Sequence, residues 1–185
     1  MLVLGIDPGS ETTGWGVVEG DARRCKLVGY GTVKASARAS FASRLLKISD
    51  GVEAVIKRFN PDACAVEQAF YAVNVQTAIK LGQVRGVILV AAERAGVEIA
   101  EYAPRLIKQT VVGYGGAEKQ QVQEMVRVLL AMKEVPQPHD AADALAIAIT
   151  HLHHASPAGR AAQAAKPSPA RVKLEALLRE NPRRR

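Results

Sequence analysis

The sequence predicts an α/β fold, a five-stranded mixed sheet flanked by helices, on three observations. Short apolar runs, "LVLGID" at residues 2–7 and "ACAVE" at residues 63–67, have the length of buried strands and each ends on a carboxylate. Between them Leu45, Ile48, Val52, Val55 and Phe59 recur at gaps of four and three, which is one face of a helix. The whole order then reads three strands, helix, strand, helix, strand and further helices, the pattern of a sheet covered by helices. A chain of 185 residues with an ordinary apolar fraction buries one good core and leaves a short appendage.

Element by element, the first strand runs to Asp7, where Pro8 and Gly9 turn the chain. "TTGWGVVEGDARRCKLVGYGTVKA" reads as two more strands around a polar turn at 20–24, an antiparallel meander on the first. A helix occupies 40–59 and "NPD" stops it. After the strand at 63–67, a helix rich in small residues runs from 74 to about 96, with Gly82 and Gly86 where a neighbour can approach closely. "VEIAEYAP" is the fifth strand, ended by Pro104. Helices are expected at about 105–112, 117–132 and, after "PQP", 140–154. From Ser156 the composition turns to Ala, Pro and Arg, so the domains divide as 1–155 and a basic, flexible tail over 156–185. Within the tail, "ARVKLEALLRE" has Leu174, Leu177 and Leu178 on one helical face.

The longest uncharged apolar run in a helical pattern, "GVILVAA" at 86–92, is far below the roughly 18 residues that span a bilayer, so no membrane segment is expected. "MLVLGID" lacks the basic start and cleavage site of a signal peptide. Two cysteines, Cys25 and Cys64, form no close pair, which argues against a zinc or disulfide scaffold and suits a reducing cytoplasm. Of the formal charge of +7, residues 156–185 supply a net +6, eight Lys and Arg against two Glu. Such a tail is either a solvated run or an arm for a polyanion, nucleic acid first.

"HDAADALAIAITHLHH" sets Asp140 and Asp143 three apart, on one face of a helix whose remainder is apolar enough to be buried. Asp7 and Glu67 come from strand ends, so all four carboxylates can converge. Four such groups repel one another strongly unless a hard cation joins them, and oxygen ligands favour Mg²⁺ or Mn²⁺. Two ions about 4 Å apart activate water and stabilise the leaving oxygen of a phosphodiester, which is nuclease chemistry. For the helical pair alone, a blander account suffices: Asp140 as N-cap and Asp143 complementing the helix dipole. His151, His153 and His154 read as cations complementing that helix's C-terminus rather than as a metal site. Taken alone, Phe70 and Tyr71 are ordinary core or interface aromatics and lysines such as Lys108 and Lys119 are solvated surface. "GYGGAEK" at 113–119 is a glycine-rich turn entering a helix, able to face a phosphate but lacking the G-K-[ST] of a nucleotide loop.

"GIDPGSETTGWGVV", "AVEQAFYAVNVQTAIKLGQVRG", "IKQTVVGYGGAEKQQVQEMV" and "HDAADALAIAITHLHH" together resemble the bacterial Holliday junction resolvases of the RuvC family, in the same order and at similar spacing over about residues 1–155. The resemblance implies an RNase H-like fold, a homodimer, and Mg²⁺-dependent endonucleolytic cleavage of four-way junction DNA in recombination and repair. It implies a catalytic, metal-binding tetrad of Asp7, Glu67, Asp140 and Asp143 holding two ions, with Mn²⁺ a substitute for Mg²⁺. Some relatives carry His at the position of Asp140; here His139 stands beside it, and only Asp140 has the three-residue spacing to Asp143. DNA contacts are implied for Phe70, which stacks on unpaired bases in the family, and for Lys108 and Lys119; Val73 departs from the family's more basic loop. The implied partners are the RuvA and RuvB branch-migration proteins.

Three rival readings are distinguishable. A sugar-kinase or actin-like ATPase also has glycines after "GID", but needs a second lobe for which this chain is too short. A non-catalytic junction-binding module uses the acidic pairs only as caps and shows no metal dependence. A nuclease of the same fold acting on RNA or hybrid duplexes is separated from a resolvase only by the long family motifs.

Overall fold

The structure, a computed structural model, describes residues 1–68 and 74–155. Five strands, β1 (Leu2–Asp7), β2 (Thr12–Gly20), β3 (Cys25–Lys34), β4 (Ala63–Glu67) and β5 (Glu98–Tyr102), form one mixed sheet in the order β3-β2-β1-β4-β5. The meander β1-β2-β3 is antiparallel, whereas β4 joins β1, and β5 joins β4, in parallel. Each parallel step crosses over through a helix, α1 (Phe41–Phe59) and then α2 (Val75–Arg94). Three helices follow, α3 (Pro104–Val112), α4 (Lys119–Leu129) and α5 (His139–Ala155).

The boundaries have local causes. Ser40 accepts a hydrogen bond from the Ser43 amide and starts α1, and Asn60 ends it in the left-handed conformation at φ 46°. Asn74 caps α2 through the amides of Gln76 and Thr77. Pro104 opens α3, where a missing N–H costs nothing, and Gly113 closes it at φ 97°. Asp62, the last residue of the stop signal, accepts from the Leu2 amide at 2.7 Å and donates its own amide to the Leu2 carbonyl, pinning β4 beside β1.

Strand side chains alternate between two cores. Leu4, Ile6, Val17, Cys64 and Val66 face α1 and α2, with Ile48, Val52, Val84 and Ile88. Val3, Val18, Ala65 and Tyr102 face the other way, into a core shared with α5, α3 and α4. Eleven residues of α5 are buried, as its all-round apolarity demands. Cys25 and Cys64 are free thiols, and burial pushes that of Cys64 up to about 12.

Three expectations change. The fourth helix is shorter than 117–132 because Ala117 is a core residue outside it, and Glu118 precedes the first turn with its amide bonded to Gln121 Oε1 at 2.8 Å. The fifth helix begins at His139, so Asp140 lies inside the first turn and is not the N-cap. His151 does not serve the helix terminus: it is buried, with Nδ1 3.0 Å from the Tyr102 hydroxyl. Among the described helices α2 is long and apolar enough to cross a membrane by length and composition. Its buried residues, Val84, Ile88, Ala91 and Ala92, join the core beside α1, while Val75, Ile79 and Val90 are exposed. Met1–His153 form one compact unit, and His154–Arg185 a second of which only His154 and Ala155 are described.

Candidate active site

Pairing of β1 with β4 brings their carboxyl ends together, Ile6 opposite Val66, so Asp7 and Glu67 emerge side by side. Two-residue periodicity decides their direction. Asp7 shares the face of Val3 and Gly5, and Glu67 that of Ala65, which is the face covered by α5.

Glycines set how close α5 comes. A Cβ at Gly5 would stand 2.0 Å from the Ala144 carbonyl oxygen, one at Gly14 2.0 Å from the Asp140 carbonyl oxygen, and one at Gly16 2.7 Å from the Leu145 side chain. The helix backbone therefore rests on bare strand backbone. Because Gly14 is the register partner of Asp7, the first turns of α5 are held against the strand end that carries it. The turn after Asp7 is equally tight: a Cβ at Gly9 would sit 2.0 Å from the Thr12 carbonyl oxygen, and the Thr13 hydroxyl donates to the Gly9 carbonyl at 2.9 Å.

Asp7, Glu67 and Asp143 line one cleft of about 210 Å³, together with Lys108 of α3 and Lys119 of α4, over apolar walls that include Ile107, Val122 and Ile147. Asp140 is not part of the lining, but its charge acts on Asp7. Burial, then the charges of Glu67, Asp143 and Asp140, push the Asp7 carboxyl from 3.8 up to about 8 against the opposing effect of Lys119. Glu67 is raised by burial and by Asp143, while Lys119 and Lys108 pull it down. Burial works against the Lys119 ammonium, yet its hydrogen bond to Asp143 and the charges of Asp143, Asp7 and Asp140 hold its pKa above the usual lysine value. Lys119 Nζ lies 2.6 Å from Asp143 Oδ2. Both lysines thus belong to the acidic cleft rather than to scattered surface.

The donor set suits a hard divalent cation: three carboxylates line the cleft, and burial first, then the neighbouring carboxylates, push Asp7 far above its ordinary range in spite of Lys119. As the side chains stand, no three His, Cys, Asp or Glu among the described residues are disposed to hold an ion, and Lys119 takes the contact with Asp143. Phe70, Tyr71 and Val73, expected next to the site, lie outside the described residues, as does the tail over 156–185. Sequence reasoning missed Gly5, Gly14 and Gly16 as positioning residues. Their signal was present, glycines at alternate positions of strands that otherwise need side chains to pack.

A family model described as "Crossover junction endodeoxyribonuclease RuvC" matches residues 3–151. Over 153 residues the chain is 53% identical to the crossover junction endodeoxyribonuclease RuvC of Heliobacterium modesticaldum, covering 83% of this chain and 94% of that one. Over 155 residues it is 51% identical to that of Chloroflexus aggregans, covering 84% and 94%. Its backbone is similar to a solved structure of T. thermophilus RuvC in complex with Holliday junction substrate, with a TM-score of 0.81 and 41% identity over 86% of this chain and 97% of that one.

Proposed function

The chain belongs to the RuvC family of crossover junction endodeoxyribonucleases and has an RNase H-like fold, and from that membership we propose that it resolves four-way junction DNA by metal-dependent phosphodiester hydrolysis in recombination and repair. The observation that carries the reading is the meeting of two strand-end carboxylates, Asp7 and Glu67, with Asp143 in a single cleft.

Asp7, Glu67, Asp140 and Asp143 would hold the cations, Mg²⁺ or Mn²⁺, two per site. When bound, such a pair supplies activation of the attacking water and charge stabilisation at the departing 3′ oxygen. The chain's own residues do the rest. Glu67 and Asp7 are set on strand ends and Asp143 on a helix pressed against the sheet, so their oxygens are held by rigid elements. Ile107, Val122 and Ile147 keep the cleft wall apolar and strengthen every charge interaction inside it. Lys108 and Lys119 offer charge to the DNA backbone, which the four carboxylates would otherwise repel. Phe70 is assigned to base stacking at the junction centre through the family resemblance.

Paired, symmetric nicks need two sites related by a two-fold axis, and a homodimer provides them. The outer face of α2 supports that assembly: Val75 is 72% and Ile79 57% exposed, and a Cβ at Gly82 or Gly86 would meet nothing within 4 Å. The domain of 1–155 carries the chemistry and the basic tail of 156–185 acts as a phosphate-binding arm. RuvA and RuvB are the partners the family role requires, and two unpaired thiols suit work in the cytoplasm.

The test is cleavage of a mobile synthetic four-way junction against matched linear duplex and RNA–DNA hybrid, with Mg²⁺ and with chelator. Paired nicks in the junction alone, dependent on metal, are expected. Cutting of the hybrid would move the assignment to a ribonuclease, and tight junction binding without cutting would make the protein a binding module.

A further inference from the structure

We propose that Lys119 is a resident counter-ion of the acidic cleft, one that a divalent cation must displace, so that metal entry and release of this lysine toward the DNA backbone are a single event. The inference rests on the metal-dependent reading above and adds to it an order of contacts.

Geometry is the first support. Lys119 Nζ contacts Asp143 Oδ2 at 2.6 Å, inside a cleft that Asp7 and Glu67 also line. A divalent ion taken up by Asp143 meets the Lys119 ammonium a few ångströms away in a half-buried cleft, and the repulsion between the two cations favours departure of the lysine. Lys108 lines the same cleft and makes no ion pair among the described residues, so the contact is particular to Lys119 and does not follow from any lysine near carboxylates.

The second support is local and independent. Lys119 is the first residue of α4, directly after the Glu118 N-cap whose carboxylate serves the N3 amide, and no acid follows it in the first turn. The amides of a helix N-terminus present a partial positive charge, so this is the position where a cation is least favoured and Asp or Glu most expected. The carboxylate that holds it lies outside its own helix, on Asp143 of α5. Its side chain is 56% exposed against 25% for Asp143, so the ammonium sits at the mouth of the cleft with a path to solvent and to a phosphate.

Linkage then gives the consequence. If an ion on Asp143 frees Lys119, a phosphate that engages Lys119 must favour the ion by the same factor. The DNA-free enzyme therefore binds metal weakly, and substrate and metal load together.

The experiment measures Mn²⁺ binding to the DNA-free full chain by electron paramagnetic resonance, for wild type, Lys119→Met, Lys119→Gln, Lys119→Arg and Lys108→Met. Removing the Lys119 charge should tighten Mn²⁺ binding by about fivefold or more, the lower end of ordinary coupling between sites. Lys119→Arg, which keeps the cation, should stay close to wild type, and Lys108→Met should change less than Lys119→Met. The two neutral variants guard against an effect of one side chain on folding, which melting curves check. Equal or weaker affinity in both would overturn the proposal alone, as would an equal gain in Lys108→Met. Absence of Mn²⁺ binding in every protein would overturn the metal-dependent reading with it.

Discussion

Replacing Asp7 by Asn should stabilise the metal-free protein while abolishing cleavage, and the size of the effect follows from the cleft. Asp7 is raised from 3.8 to about 8, first by burial and then by Glu67, Asp143 and Asp140. A carboxyl whose folded pKa lies above its unfolded value contributes stability that is complete below about pH 4 and is lost as pH rises through about 8. Each pH unit between the two values is worth about 1.4 kcal/mol, so by pH 7 wild type has lost at most about 4 kcal/mol at this one group. Relaxation of Lys119 and entry of water lower this to about 2–4 kcal/mol, and at about 2–4 °C per kcal/mol for a domain of this size Asp7→Asn should melt roughly 5–15 °C higher at pH 7. At pH 4 the two proteins should melt together. The assay is thermal unfolding in chelator from pH 4 to 8, repeated with Mg²⁺, which should remove most of the wild-type deficit by neutralising the same charges. Wild-type stability that stays flat or rises between pH 5 and 7, with Asp7→Asn parallel to it, would refute the account of a strained, uncompensated carboxylate. Junction binding by Asp7→Asn in chelator should be at least as tight as wild type, because a charge that repels phosphate has gone.

Other consequences are as direct. Gly14→Ala places a methyl where the Asp140 carbonyl stands and must lift α5 from the sheet, costing about 1–3 kcal/mol or more in urea unfolding and suppressing cleavage beyond the loss of folded protein. A variant that unfolds and cuts like wild type would show that α5 has slack the close approach denies. Ile79→Glu on the outer face of α2 should yield a monomer of unchanged helix content by sedimentation and circular dichroism, whereas a persistent dimer would place the interface elsewhere. Deleting 156–185 should weaken junction binding and flatten its salt dependence, by about 0.9 in the logarithmic slope for each phosphate the tail no longer neutralises; an unchanged slope would remove the tail from the DNA.

Much of this was legible in the chain because the signals are local. Strand periodicity and the charges that end "LVLGID" and "ACAVE" locate Asp7 and Glu67, and a three-residue spacing in an apolar helix locates Asp140 and Asp143. Long motifs in register then identify the family, since their order and spacing survive any change in packing. Tertiary structure alone decided how those groups meet. That Asp143 and not Asp140 lines the cleft depends on how α5 rests on Gly5, Gly14 and Gly16. The pairing of Lys119 with Asp143, and of His151 with Tyr102, joins residues from separate elements. Periodicity says which face of an element is buried; which polar group waits on the opposing face is set by the close packing of whole layers, where a shift of one methyl group decides what can touch.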